Sequence, residues 1–184
     1  MLKNLWKILE FCGRKWKIFA TFAPKRESLT KEIKMVNFLG TAYSKVDDKG
    51  RIVFPAVFKN AMYAAGVTDM RLLIKKDIYA NCLEVYTYAE WERQSEEIRS
   101  KLNPLNKAHA ALWRKYTDGC VEVTPDEKLG RISIPKKLLE EIGVTKEVVF
   151  AGMGFKIEIW AEDARKAALI SNEEFESIAE GLSK

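Results

Sequence analysis

Reactive and metal-binding side chains are scarce in this sequence. Among 184 residues there are three cysteines and a single histidine. Cys12, Cys82 and Cys120 are odd in number, far apart and without a C-x-x-C, which argues against a disulfide framework or a structural zinc site and fits a reducing compartment. His109 falls on an apolar stripe between Leu105 and Leu112, so it reads as a core or interface residue, with no second histidine at ligand spacing. Cys120 as nucleophile with His109 and Asp118 would need all three brought together, and no oxyanion motif accompanies them. Neither a P-loop nor a G-x-G-x-x-G occurs, and Gly152-Met153-Gly154 reads as a hairpin turn. The uninterrupted apolar runs are only a few residues long, so no membrane span or secretory leader is expected. These absences lead to the expectation of a cytoplasmic non-enzyme with no cofactor, metal, catalytic residue or small-molecule substrate.

What the chain does have is charge, unevenly placed. The formal net charge is +5, but residues 1–34 hold nine Lys and Arg against three Asp and Glu, leaving −1 for residues 35–184. The basic character belongs to the first segment, so any affinity of the remainder for nucleic acid must come from local clusters multiplied by oligomerisation. Within residues 1–34, Leu2, Leu5, Trp6 and Leu9 fall at helical spacing, as in a membrane-surface or partner-binding helix. The preferred reading is blander: an over-extended start, with translation beginning at Met35.

A five-residue stretch occurs twice, Asp47-Asp48-Lys49-Gly50-Arg51 and Glu127-Lys128-Leu129-Gly130-Arg131, and Pro55 and Pro135 each lie four residues past their arginine. Gly66-Val67-Thr68 returns as Gly143-Val144-Thr145, and Glu84-Val85-Tyr86 as Glu158-Ile159-Trp160. The three blocks recur 80, 77 and 74 residues apart, the drift expected when a repeated unit loses loop residues. Physically each copy is a tight hairpin. Asp47 and Glu127 are read as the turn acids bonding their own backbone, while Gly50 and Gly130 take a positive φ. Arg51 and Arg131 start the returning strands, and the prolines open helices. Lys49 and Arg51 then stand on a rigid edge suited to phosphate or base contact. The competing reading is that each arginine pairs with its turn acid and only staples the hairpin.

Strands are expected near 40–47, 51–55, 71–76, 82–87, 120–125, 131–135, 146–151 and 155–160. Helices are expected over 56–65, after Thr87 to about 101, from Asn103-Pro104 to about Tyr116, after Pro135, and twice at the C-terminus. Trp91, Ile98 and Leu102 form one inward stripe; Leu105, Ala108, Leu112 and Tyr116 form another. Tight hairpins interleaved with short helices favour an α+β fold built on a small antiparallel β-barrel over a doubly wound sheet. The organisation expected is an N-terminal extension over 1–34, a first repeat with a helical pair over 35–117, and a second repeat with C-terminal helices over 118–184.

On these motifs residues 35–184 resemble the MraZ family, bacterial regulators encoded at the head of the division and cell-wall gene cluster. The resemblance is carried by Met35-Val-Asn-Phe-Leu-Gly, the two turns, and the Glu-Val-Tyr and Glu-Ile-Trp strands. It implies two AbrB-like swapped-hairpin halves related by a pseudo-twofold axis, with peripheral helices. It also implies a ring-shaped homo-oligomer, associated with the nucleoid, that represses its operon by binding short direct repeats in double-stranded promoter DNA. Arg51 is the foremost DNA-binding candidate, followed by Lys49, Arg131, Lys128 and, on the strand entering the first turn, Lys45. Arg131 departs from the pattern in having Glu127 where aspartate is expected. Lys136 and Lys137, in the first turn of a helix, read as surface charge. The rival readings are an oligomeric scaffold without specific DNA binding, and a chain whose activity resides in its basic N-terminal segment.

Overall fold

The computed structural model describes residues 35–182, and the expectations for residues 1–34 lie outside the described residues. In chain order the elements are β1 (Thr41–Lys45), β2 (Arg51–Val53), α1 (Ala56–Ala64), β3 (Leu72–Lys76), β4 (Leu83–Thr87), α2 (Tyr88–Ser100), α3 (Lys107–Thr117), β5 (Val121–Val123), β6 (Arg131–Ser133), α4 (Lys136–Glu141), β7 (Glu147–Gly152), β8 (Ile157–Trp160), α5 (Glu162–Ala168) and α6 (Asn172–Leu182). Six strands form one antiparallel sheet in the order β1-β7-β8-β4-β3-β5, and β2 and β6 pair separately as a two-stranded ribbon.

The repeat seen in the sequence becomes a twofold relation in the structure. Ile52 and Ile132, equivalent in the two copies, sit directly opposite each other in the ribbon. Glu84 and Glu158, also equivalent, sit opposite each other where β4 pairs with β8. The first strand of each repeat pairs into the other repeat, β1 with β7 and β5 with β3. No closed barrel is formed among the described residues. With β2 and β6 committed to their own ribbon, β1 and β5 are left as the edges of an open sheet.

Alternation along the strands builds two layers. Leu72, Ile74, Leu83 and Val85 point into the main core, where Phe38, Phe54, Phe58 and Phe150 pack edge-on or tilted with centroids 5.9–6.5 Å apart. The ribbon residues Ile52 and Ile132, with Phe58 and Met62 of α1 and Leu138 and Leu139 of α4, belong to the same cluster. Tyr86, on the other face of β4, meets Trp91, which stacks on Tyr116 at 5.4 Å, so α2 and α3 supply an aromatic layer over that face. Lys75 and Glu84 are ion-paired and buried beneath it.

Local signals explain most boundaries and correct one. Pro55 and Pro135 end their strands for want of an N–H and occupy the N-cap rather than the first helical position. The Thr87 hydroxyl caps α2 by accepting from the Glu90 N–H at 3.3 Å. The following helix begins at Lys107, not at Asn103-Pro104, because the Asn106 side chain accepts from the Ala108 and His109 N–H groups and sets a new cap. Leu105 therefore precedes the helix and is 94% exposed, and Leu112 is more than half exposed. The apolar stripe assigned to these residues and Ala108 is not core.

Candidate nucleic-acid interface

The first turn closes on Asp47. Its Oδ1 accepts the N–H of Lys49 (2.9 Å) and of Arg51 (2.8 Å), and its Oδ2 accepts Nε–H of Arg51 (2.7 Å). Its carbonyl accepts the Gly50 N–H at 2.9 Å. Led by the Arg51 backbone N–H, these bonds hold the Asp47 carboxyl below the usual carboxylate range. Gly50 has φ +77°, and a Cβ there would lie 2.7 Å from the Ile134 carbonyl oxygen. A side chain is therefore excluded by both backbone conformation and space.

The second turn uses a different acid from the one expected. Asp126, not Glu127, occupies the Asp47 role: its carboxylate accepts the N–H groups of Leu129 (2.7 Å) and Arg131 (3.1 Å), and its carbonyl accepts that of Gly130 (3.0 Å). The loop is one residue longer than the first, so aligning backward from Gly-Arg misassigned the acid by one position. Asp126 is likewise held low, chiefly by the Leu129 N–H. The extra residue has a consequence for Arg131. Its guanidinium has no ion pair among the described residues, whereas Arg51 is anchored.

The ribbon brings the two turns together. Arg51 pairs with Ser133 and Val53 with Arg131, so the arginines are offset by two residues, roughly 7 Å along the strands. Ile52 and Ile132 point inward and are fully buried, which leaves Arg51, Val53, Arg131 and Ser133 on the outward face. Both arginines thus stand on one face of one small ribbon.

Other cations surround it unequally. Lys49 and Lys128 are exposed on the two turns. Lys45 is exposed on β1 and lies 3.5 Å from Glu147, which balances part of its charge. Two lysines approach the turns from the opposite repeat. The Lys136 chain passes within 3.5 Å of where a Gly50 Cβ would be, and Lys59 Nζ within 3.9 Å of the same point at Gly130. Lys59 was missed by the sequence reading because its approach to the second turn depends on how α1 packs across the repeats. Lys136 was visible only as an oddly placed charge at a helix start.

The alternative chemistries find little geometry. His109 Nδ1 accepts the Asn103 N–H at 2.9 Å, and the Cys120 thiol contacts the Tyr116 carbonyl at 3.9 Å. His109 lies in the first turn of α3 and Cys120 three residues beyond its end at Thr117, with about 12 Å of helix from His109 to that end. Asp77, Cys82 and Glu158 bring ligand atoms within 4.8 Å of one another. Lys156 Nζ already stands against Asp77 (3.4 Å) and Glu158 (3.1 Å), and burial pushes the Cys82 thiol up to about 12. The set already holds the Lys156 ammonium and a protonated thiol, and is poorly suited to a further cation. No helix of the described residues is long and apolar enough to cross a membrane.

Comparison with known proteins follows the same division. The family model described as "MraZ protein, putative antitoxin-like" matches residues 37–115 and 117–180, one match on each repeat. The protein named transcriptional regulator MraZ of Bacteroides thetaiotaomicron is 36% identical over 148 residues, covering 80% of this chain and 93% of that one. Its namesake in Phocaeicola vulgatus is 35% identical over 140 residues, covering 76% and 89%. That of Dictyoglomus thermophilum is 36% identical over 131 residues, covering 68% and 80%.

Proposed function

This chain belongs to the MraZ family, and from that premise we propose that it is a DNA-binding transcriptional regulator that represses a division and cell-wall gene cluster. In this reading a ring-shaped homo-oligomer in the cytoplasm, associated with the nucleoid, binds short direct repeats in promoter DNA. Each subunit presents its ribbon, with Arg51 and Arg131 reading base edges or phosphates and Lys49, Lys128 and Lys45 adding backbone contacts. The exchange of β1 and β5 between the repeats is read as a pair of AbrB-like swapped hairpins.

The supporting observation is the shared outward face of the ribbon. The major groove of DNA admits a two-stranded β-ribbon, and an arginine placed there forms a bidentate pair with guanine O6 and N7. Residues 35–184 carry a net charge near zero, so one ribbon binds weakly and specific affinity depends on several acting together. The scaffold reading draws on the Arg51–Asp47 bond, which holds the hairpin whether or not DNA is present.

Fluorescence anisotropy of the full chain on promoter DNA upstream of its own gene, against scrambled repeats at two salt concentrations, tests the choice. Arg51→Ala is expected to cost about 1–3 kcal/mol per engaged ribbon and to relax sequence preference while the circular dichroism spectrum is retained. If a folded Arg51→Ala protein discriminates the repeats as well as the parent, the ribbon is not the reading surface.

A further inference from the structure

Two features at different places in the fold are left over from the ribbon. Between α2 and α3 lies an open groove of about 540 Å³, lined by Leu102, Pro104, Ala110 and Trp113 and flanked by Arg99 and Arg114. That is within the size range of pockets that hold small ligands or anchor side chains, about 300–1,000 Å³. At the C-terminus, α6 has no buried residue. Its Phe175, Ile178 and Leu182 recur at i, i+3 and i+7 and are 63%, 52% and 84% exposed. This spacing is the one by which an amphipathic helix anchors in an apolar groove.

Charge on the α3 side suits the match, while on the α2 side Arg99 lies 3.5 Å from Glu96 of its own helix in an exposed pair. Lys107–Thr117 contains Lys107, Arg114 and Lys115 and no acid, while Asn172–Leu182 contains Glu173, Glu174, Glu176 and Glu180 and no base. Glu174 and Glu176 flank Phe175 on either side, about 100° away around the helix, where they would meet guanidinium groups at the rim of such a groove. On its own chain α6 buries no residue, which points to the groove of a second copy. Helix α5, from which α6 continues after three residues, packs on β7 beside the edge strand β1. Helix α2 packs on β3 and β4, toward the opposite edge strand β5.

We infer that α6 of one copy docks into the α2–α3 groove of a second copy, with Phe175, Ile178 and Leu182 inserted and Glu174 and Glu176 paired with Arg99 and Arg114. The inference rests on the oligomeric reading above and supplies its contact. Because the two patches are different surfaces of the chain, the interface is heterologous. Such contacts run head to tail and close into a ring when the rotation permits.

Light scattering behind size exclusion, on the full chain, tests it. The charge reversals Arg99→Glu/Arg114→Glu and Glu174→Lys/Glu176→Lys are each expected to reduce the oligomer to monomers with an unchanged circular dichroism spectrum. Mixing the two variants should rebuild the assembly with the two alternating, since the native helix of one fits the native groove of the other and the reversed pair fits in the same way. Combining all four substitutions in one chain should restore the parent assembly, a result that a folding defect could not produce. A monomeric parent would overturn the oligomeric reading and this contact with it. An oligomeric parent indifferent to both reversals would overturn the contact alone. Reversals that lower thermal stability but leave the mass unchanged would place α6 on its own chain and overturn it as well.

Discussion

The guanidinium of Arg51 carries five N–H donors, and Asp47 engages the one on Nε. That contact leaves the two terminal nitrogens for a ligand and holds the plane that carries them. Asp47 is fixed in turn by two backbone N–H groups, so the orientation of the arginine is set by the turn itself. Asp47→Asn retains an oxygen for the backbone but turns an amide donor toward Nε–H. We expect it to weaken repeat binding about tenfold, some 1.4 kcal/mol, with the fold intact by circular dichroism; undiminished affinity would show that orientation contributes nothing. The same carboxyl sets an acid limit. Its pKa is lowered in the folded state, so its contribution is present above the unfolded value of about 3.9. It is lost as pH falls through the lower folded value. The Arg51 Nε–H resonance, followed by NMR, should therefore shift only at a pH below that of an ordinary aspartate. Arg131 has no such anchor, and the reason is a single inserted residue. Both arginines were legible in the sequence. Which acid serves the second turn was not, because Asp126 and Glu127 are adjacent and only backbone geometry distinguishes them.

At the scale of elements, the pairing of β4 with β8 sets Glu84 against Glu158, a juxtaposition of like charges that destabilises a sheet when left uncompensated. Lys156 resolves it, with Nζ 2.6 Å from Glu84, 3.1 Å from Glu158 and 3.4 Å from Asp77, while Lys75 pairs with Glu84 from the neighbouring strand β3. Burial alone would lower the Lys156 pKa, but its bonds to Glu84 and Glu158 outweigh this and raise it. Lys156→Met removes the bridging cation and leaves two carboxylates facing each other. The expected loss is about 3–5 kcal/mol of stability, the usual cost of stranding a buried charge, read from urea denaturation. Adding Glu158→Gln should recover part of it; if the single variant is as stable as the parent, the cluster is not holding the two repeats together. In linkage terms the raised pKa makes the Lys156 contribution whole below the unfolded value, about 10.4. It disappears only as pH rises through the folded one. The sequence displayed Glu84 and Glu158 as equivalent letters of a repeat but not as partners. Every residue of β4 is buried, so alternation gives no hint of which face a polar residue occupies, and the pairing joins positions 74 residues apart. Elements with strong local signals, such as the Thr87 cap and the two proline-ended strands, were readable to within a residue or two.

For the whole molecule, the repeat predicted one unit used twice and the family resemblance implied a twofold relation between the copies, whereas the sharing of one ribbon by both turns could not be read from either turn alone. Its formation follows from a nonlocal packing event, the burial of Ile52 against Ile132, and it changes what one subunit offers. Two separate hairpin edges would make two independent contacts; one ribbon would make a single contact in one groove. The proposed ring would then present one such contact per subunit at a fixed interval, and neighbouring ribbons would reach the same DNA only if their sites face the same side of the duplex. Inserting 5 bp between adjacent repeats turns the second site by about half of the 10.5 bp helical period. Binding should fall toward that of a single repeat. Inserting 10 bp restores the facing and should recover affinity in part, limited by the added distance of about 34 Å. The slope of log affinity against log salt should follow the same order, steep for the native spacing and shallow for the half-turn insertion, because fewer phosphates are engaged. Equal affinity and equal slopes across the three spacings would mean that the subunits bind independently and that the assembly, whatever holds it, plays no part in recognition.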